Sequence, residues 1–184
     1  MLAKMLAIAA VTAGGIMLSK ELRKSRKPGK TTIEESIEVN VPVSTVYNQW
    51  TQFEDFPKFM KGVLEVRQLD DTHLHWCAEV AGKEKEWDAE ITEQIPDKRI
   101  AWRNTSGAQN AGVVTFHKIS DSTTRIMLQM EYAPKGFIEK AGDAVGAVEI
   151  EARGDLEGFK KFLEERMSET GAWRGAVPHT NIAE

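Results

Sequence analysis

Along the chain, the alternation of apolar and polar positions changes period four times, and each change marks a boundary between elements. Residues 5–18 (MLAIAAVTAGGIML) carry no charge at all. Residues 31–40 (TTIEESIEVN) alternate as a half-buried strand does, and Ser44 stands where the cap of a short helix carrying Val46, Tyr47 and Trp50 belongs. A second short helical piece is expected around Phe53, Phe56 and Phe59, where aromatic density points to packing against a sheet. After Gly62 the period becomes two and holds for about seventy residues. Turn signals at Asp70-Asp71, Gly82-Lys83, Pro96-Asp97, Ser106-Gly107 and Asp121-Ser122 divide this stretch into six strands. From about Phe137 to Met167 the period returns to that of a helix, with Val145, Val148, Ala152, Leu156, Phe159 and Leu163 on one stripe.

One face of the six strands is apolar: Leu74, Trp76, Ala78 and Val80; Trp87, Ala89 and Ile91; Ile100 and Trp102; Val114 and Phe116; Ile126, Leu128, Met130 and Tyr132. Glu84, Glu86, Asp88, Glu90, Arg99, Arg103, Lys118, Arg125 and Glu131 fall out of phase with these residues or at strand ends, so the sheet is expected to be antiparallel with one wet side. Three Trp on three consecutive strands of the dry side exceed what a thin core needs. Gly142, Gly146, Gly154 and Gly158 weaken the last helix by about 1 kcal/mol each relative to Ala, and small residues on a core-facing helix are expected to leave space beneath them. The tail after Ser168 shows no periodicity and reads as loose.

Charge divides the chain in two. The net charge of −4 combines residues 1–30, with seven basic residues and one acid, and residues 31–184, with 17 basic and 27 acidic residues. The first segment joins an apolar run to Lys20, Arg23, Lys24, Arg26, Lys27 and Lys30, a membrane-seeking pattern. Fourteen uncharged residues are short of the roughly 20 that a span needs, though Leu2, Ala3 and Ser19 extend the run and Lys4 and Lys20 can snorkel. Spanning and surface-lying helices both remain open; a span would place the main domain in the cytoplasm, because the basic residues follow the apolar run. The expected organisation is thus an anchor at 1–19, a basic linker at 20–30, a folded domain at 31–167 and a loose tail at 168–184. The acidic balance of the main domain argues against nucleic acid as a partner. A single cysteine, Cys77, excludes a disulfide scaffold.

The order of elements and several local motifs resemble the START-related (SRPBCC) superfamily, specifically its polyketide cyclase/dehydrase and coenzyme Q-binding (Coq10-like) branch. The motifs are residues 41–50 (VPVSTVYNQW), 53–60 (FEDFPKFM), 87–92 (WDAEIT) and 96–102 (PDKRIAW). To these add Gly112, Val114 and Phe116, and residues 155–160 (DLEGFK). The resemblance covers about residues 31–167. It implies an α+β helix-grip (START/Bet v 1-like) fold in which a curved seven-stranded antiparallel sheet wraps a long C-terminal helix; the membrane-seeking helix in front is read from the chain's own pattern and is no part of the resemblance. The resemblance also implies a deep apolar cavity for a lipid, quinone or polyketide-like molecule. Carried onto this chain, the cavity residues are Trp76, Trp87, Trp102, Phe116, Leu128, Met130 and Tyr132 from the sheet and Val148 and Ala152 from the helix.

No nucleophile elbow, His-Glu-x-x-His motif, phosphate-binding glycine loop or cysteine pair occurs, and no cofactor or catalytic residue is assigned. His73, His75 and Cys77 alternate on one strand at a spacing that suits a soft metal, but on the side opposite Leu74 and Trp76, and are read as a wet strand face. Within the inward set Tyr132 is the residue able to give or take a proton. The reading is therefore a non-catalytic binder of a hydrophobic small molecule, tethered at the membrane. A cyclase/dehydrase-type enzyme and a structural or stress-related membrane protein with a filled core are the alternatives.

Overall fold

The computed structural model describes residues 31–80, 82–132 and 144–179. The anchor and linker expected at 1–30 lie outside the described residues, as do the start of the last helix before Ala144 and the chain end after His179. Among the described residues no helix is long and apolar enough to cross a membrane.

Strand β1 (Thr31–Val39) leads into helix α1 (Val43–Trp50) and a 3-10 helix (Phe53–Lys58). Six strands follow: β2 (Val63–Gln68), β3 (His73–Val80), β4 (Lys83–Ile95), β5 (Arg99–Asn104), β6 (Asn110–Ser120) and β7 (Thr123–Tyr132). Helix α2 (Ala144–Arg166) completes the set. All strand pairs are antiparallel, and the sheet order β1-β7-β6-β5-β4-β3-β2 places the two strands that flank α1 on opposite edges. The two short helices therefore carry the chain from one edge to the other. Register shifts at Val63/Glu65, Ile91/Glu93 and Lys118/Ser120 bend the strands. The strands and turns fall where the periodicity predicts them, and the seven-stranded, curled helix-grip sheet is the one that the resemblance implies.

The core fills one half of the grip. Trp50 meets Phe56, Phe116 and Phe159 edge-on at centroid distances of 5.7, 6.0 and 5.0 Å, and Phe59 packs on Phe159 and Phe162. The C-terminal half of α2 is clamped here, with Phe159 and Leu163 fully buried. Contact is close enough that a Cβ on Gly158 would stand 2.2 Å from the Phe59 carbonyl oxygen. The expectation that the helix glycines leave space beneath them is corrected at this position: at Gly158 the backbone of Phe59, just after the 3-10 helix, lies against α2. Gly154 is exposed and faces no neighbour within 4 Å.

The tail is not loose over its described length. After Met167, at φ 55°, leaves the helix, the Thr170 N–H donates to Gln49 Oε1 at 2.9 Å and the Trp173 N–H to Thr51 Oγ1 at 3.0 Å. Arg174 forks onto Asp97 at 3.0 and 2.6 Å and lies over the Tyr47 ring, and Val177 exchanges two backbone hydrogen bonds with Gln94. Periodicity misses such a segment because it is held by its backbone and by single side chains, without a regular apolar face. Asp97, itself at φ 61° in the β4–β5 turn, is the anchor for Arg174.

Candidate ligand-binding cavity

The other half of the grip is hollow. A cavity of about 340 Å³ lies between β3, β4, β5 and β7, the short helices and the N-terminal half of α2, within the size range of small-molecule sites. Trp76, Trp87, Trp102, Leu128, Met130, Val148 and Ala152 all line it, joined by Trp50, Phe53 and Phe56. Trp76, Trp87, Trp102, Met130 and Val148 point inward yet stay half-buried. Inward side chains that keep accessible surface are the signature of a wall rather than of a filled core.

Strand pairing builds the aromatic wall. Trp76 and Trp87 are direct partners across β3 and β4, with near-parallel rings 5.9 Å apart. Trp102 pairs with Gly112 on β6, where the missing side chain makes room for the indole. Phe116 and Tyr132, named with this set from the sequence, stand apart from these walls. Phe116 packs against Tyr47 and Trp50 in the filled half, because the curl of the sheet turns that part of β6 toward α1. Tyr132 is buried at the end of β7 beside Thr31 and Asn110, its hydroxyl pushed up by burial and then by the charge of Glu149.

Three polar lining residues were not among the sequence candidates: Glu151 and Asp155 on α2, and Asn110 at the start of β6. Burial, and then the Glu151 charge, pushes half-buried Asp155 up to about 7; Glu151 is an exposed residue overall, and the partial desolvation of its carboxyl group against the wall raises it as well. Glu151 folds its carboxyl group over Gly62, where a Cβ would come within 2.8 Å of Oε1. The Oδ1 atom of Asn110 is buried with no hydrogen-bond partner among the described residues.

On the outer face the three spaced residues of β3 have separate partners. His73 meets Asp70 at 2.9 Å and His75 meets Asp88 at 2.8 Å. Cys77 lies with Glu84 and Glu86, its ligand atoms within 4.8 Å of theirs. Burial and the carboxylates of Glu84, Glu86 and Glu65 push its thiol up, which makes it a poor nucleophile.

A curled antiparallel sheet gripping a long helix around an apolar cavity defines a hydrophobic-ligand-binding domain of the START/Bet v 1-like (SRPBCC) class. Residues 39–161 match the family model described as polyketide cyclase / dehydrase and lipid transport, and the chain belongs to that family. The match does not single out its coenzyme Q-binding branch. An "uncharacterized 17.2 kDa protein" from the melC2-rnhH intergenic region of Streptomyces lincolnensis is 60% identical over 146 residues, 79% of this chain and 97% of that one. The Zhui aromatase/cyclase of Streptomyces sp. R1128 is similar in fold, with a TM-score of 0.66 at 17% identity over 78% of this chain and 99% of that one. So is a START superfamily protein of Mycobacterium smegmatis, with a TM-score of 0.59 at 14% identity over 74% and 96%.

Proposed function

We propose that residues 31–167 bind a hydrophobic small molecule in the cavity without transforming it, and that residues 1–30 hold the domain at a membrane. The observation that carries this reading is the 340 Å³ hollow with four Trp in its wall. An unfilled apolar space of this size forgoes packing energy that a folded core would collect, so its retention fits a guest. The tether rests on the sequence alone: fourteen uncharged residues followed by a basic cluster. Placing a binder beside the bilayer raises the local concentration of a guest that partitions there.

Native mass spectrometry of the full chain purified from membranes tests both parts. A co-purifying lipophile supports binding; an empty protein that also leaves its Trp fluorescence unchanged with lipophilic probes overturns it. A chain lacking residues 1–30 that still sediments with membranes overturns the tether.

One observation favours the cyclase-type reading as the second choice. Asp155, pushed up to about 7 inside the cavity, has the titration range of a general acid at neutral pH. Single-turnover assays with aromatic polyketide-like ketones separate the readings: release of ligand unchanged supports the binder, and conversion that Asp155→Asn abolishes supports the enzyme.

A further inference from the structure

The polar groups of the cavity are of one kind. Among its described lining residues the titratable ones are Glu151 and Asp155, and no Lys, Arg or His joins them. Their influences are burial and, for Asp155, the charge of Glu151. Nearby cations of α2 are engaged elsewhere: Arg153 with Glu35 at 2.8 Å, and Lys160 with the Glu38 carbonyl at 2.8 Å. Apart from Asn110, the other described lining residues are apolar or aromatic: Trp50, Phe53 and Phe56 from the short helices, Met60 just after them, and side chains such as Leu74 and Met130 from the sheet. Asn110 adds an acceptor, the partnerless Oδ1.

The ionisable groups among the described lining residues are therefore acids alone. Indole rings present negative faces, which attract ammonium groups, and two acids with no basic partner among the described lining residues do so more strongly. A fatty acid or other anion is repelled. A neutral guest leaves the Glu151 charge without a partner in the described wall. We propose that the cavity takes a hydrophobic ligand bearing a protonated amine, its ammonium group held by Glu151 and Asp155 and its apolar body enclosed by the Trp walls.

This inference rests on the binding reading and adds the charge of the guest. It carries a proton linkage. Asp155 is largely protonated in the empty cavity below about 7, and an ammonium group beside it draws it to the ionised form. Binding thus releases a proton near neutrality, and affinity rises with pH through that range until the amine itself deprotonates.

Three probes sharing one ring system and differing in charge decide the matter: naphthylmethylamine, naphthylmethanol and naphthoate, titrated calorimetrically into the full chain in buffers of differing ionisation enthalpy. The expected order is amine, then alcohol, then carboxylate, with the amine about tenfold tighter than the alcohol and proton release seen for the amine alone. In the Glu151→Gln, Asp155→Asn double variant the amine advantage disappears while the alcohol binds as before, which also shows that the variant is folded. Equal binding of amine and alcohol, or an amine affinity untouched by the double variant, overturns the ammonium site and leaves the binding cavity standing. Failure of all three probes to bind at millimolar concentration overturns both.

Discussion

The indole of Trp102 occupies the space that a side chain at position 112 would fill: a Cβ on Gly112 would stand 2.4 Å from Cζ2 and 2.7 Å from Cη2 of the ring. The two residues are register partners on β5 and β6, so the ring rests across the neighbouring strand. That places one side of the ring against backbone and leaves the other to the cavity. Gly112→Ala is expected to drive the indole inward and to press on the Gln129 carbonyl, which would lie 2.9 Å from the new methyl. Overpacking of this kind lowers stability by about 1–3 kcal/mol. Urea melts read that loss, and titration with naphthylmethanol reads the reduced cavity as a several-fold loss of affinity. Unchanged affinity would remove Trp102 from the wall.

Two glycines on α2, one turn apart, are expected to respond in opposite senses to the same substitution. Gly154→Ala adds a methyl on the exposed side with nothing within 4 Å and raises helix propensity, so it stabilises by about 0.5–1 kcal/mol. Gly158→Ala sets a methyl 2.2 Å from the Phe59 carbonyl oxygen, and backbone on both sides must move. A loss of at least about 2 kcal/mol is expected, because the Phe59, Phe159 and Phe162 contacts separate together. Chemical denaturation of both variants side by side tests the contrast.

Removing residues 168–184 is expected to destabilise the domain by about 2–4 kcal/mol. The tail supplies the Thr170 N–H to fully buried Gln49 and pairs its backbone with Gln94, which is also buried and donates to the Tyr47 hydroxyl at 2.9 Å. Without the tail these groups lose partners or gain water in a site shaped to exclude it. The milder Arg174→Ala removes the fork onto Asp97 on a partly exposed side chain and should lower stability by about 0.5–1 kcal/mol. A truncated chain that melts with the full one would return the tail to the loose segment that its irregular sequence suggests.

The contrast between tail and sheet shows where the sequence was legible. Strand alternation located all six strands after Gly62 and the inward Trp residues, because a period of two fixes which face a side chain takes. Alternation also put Phe116 on the inward face, where it lies, but it gives the face of the sheet and not the position along a curled face: the cavity place came from the resemblance, and Phe116 points into the filled half beside Tyr47 and Trp50. Glu151 and Asp155 were open to discovery. They stand three and seven residues after Val148, on the same helical face as Ala152, and two acids inside an apolar stripe mark a break in it. Asn110 carried no such sign, since its place on the cavity wall depends on the lengths of the strands around it. What residues 1–30 do lies with their composition alone.

Asp155 also contributes to the pH dependence of stability. Asp155 titrates near 3.8 when unfolded and about 7 in the folded domain, so the folded state binds more protons between those values. A group whose pKa rises on folding lends its full stability at acid pH and withdraws it as pH climbs toward the folded value. The charged form, disfavoured by burial and by Glu151 one turn away, is then present in full above about 7. Asp155→Asn removes the titration while keeping the shape, since no hydrogen bond to the carboxylate is formed by the described residues. The variant is expected to match the parent near pH 4 and to exceed it at pH 8 by about 1–3 kcal/mol, a range reduced for the partial access of solvent to the cavity. Urea unfolding followed across this interval checks the sign. A variant less stable than the parent at pH 8 would mean that the carboxylate is paired in the folded domain, and would take with it the electrostatic basis of the amine site.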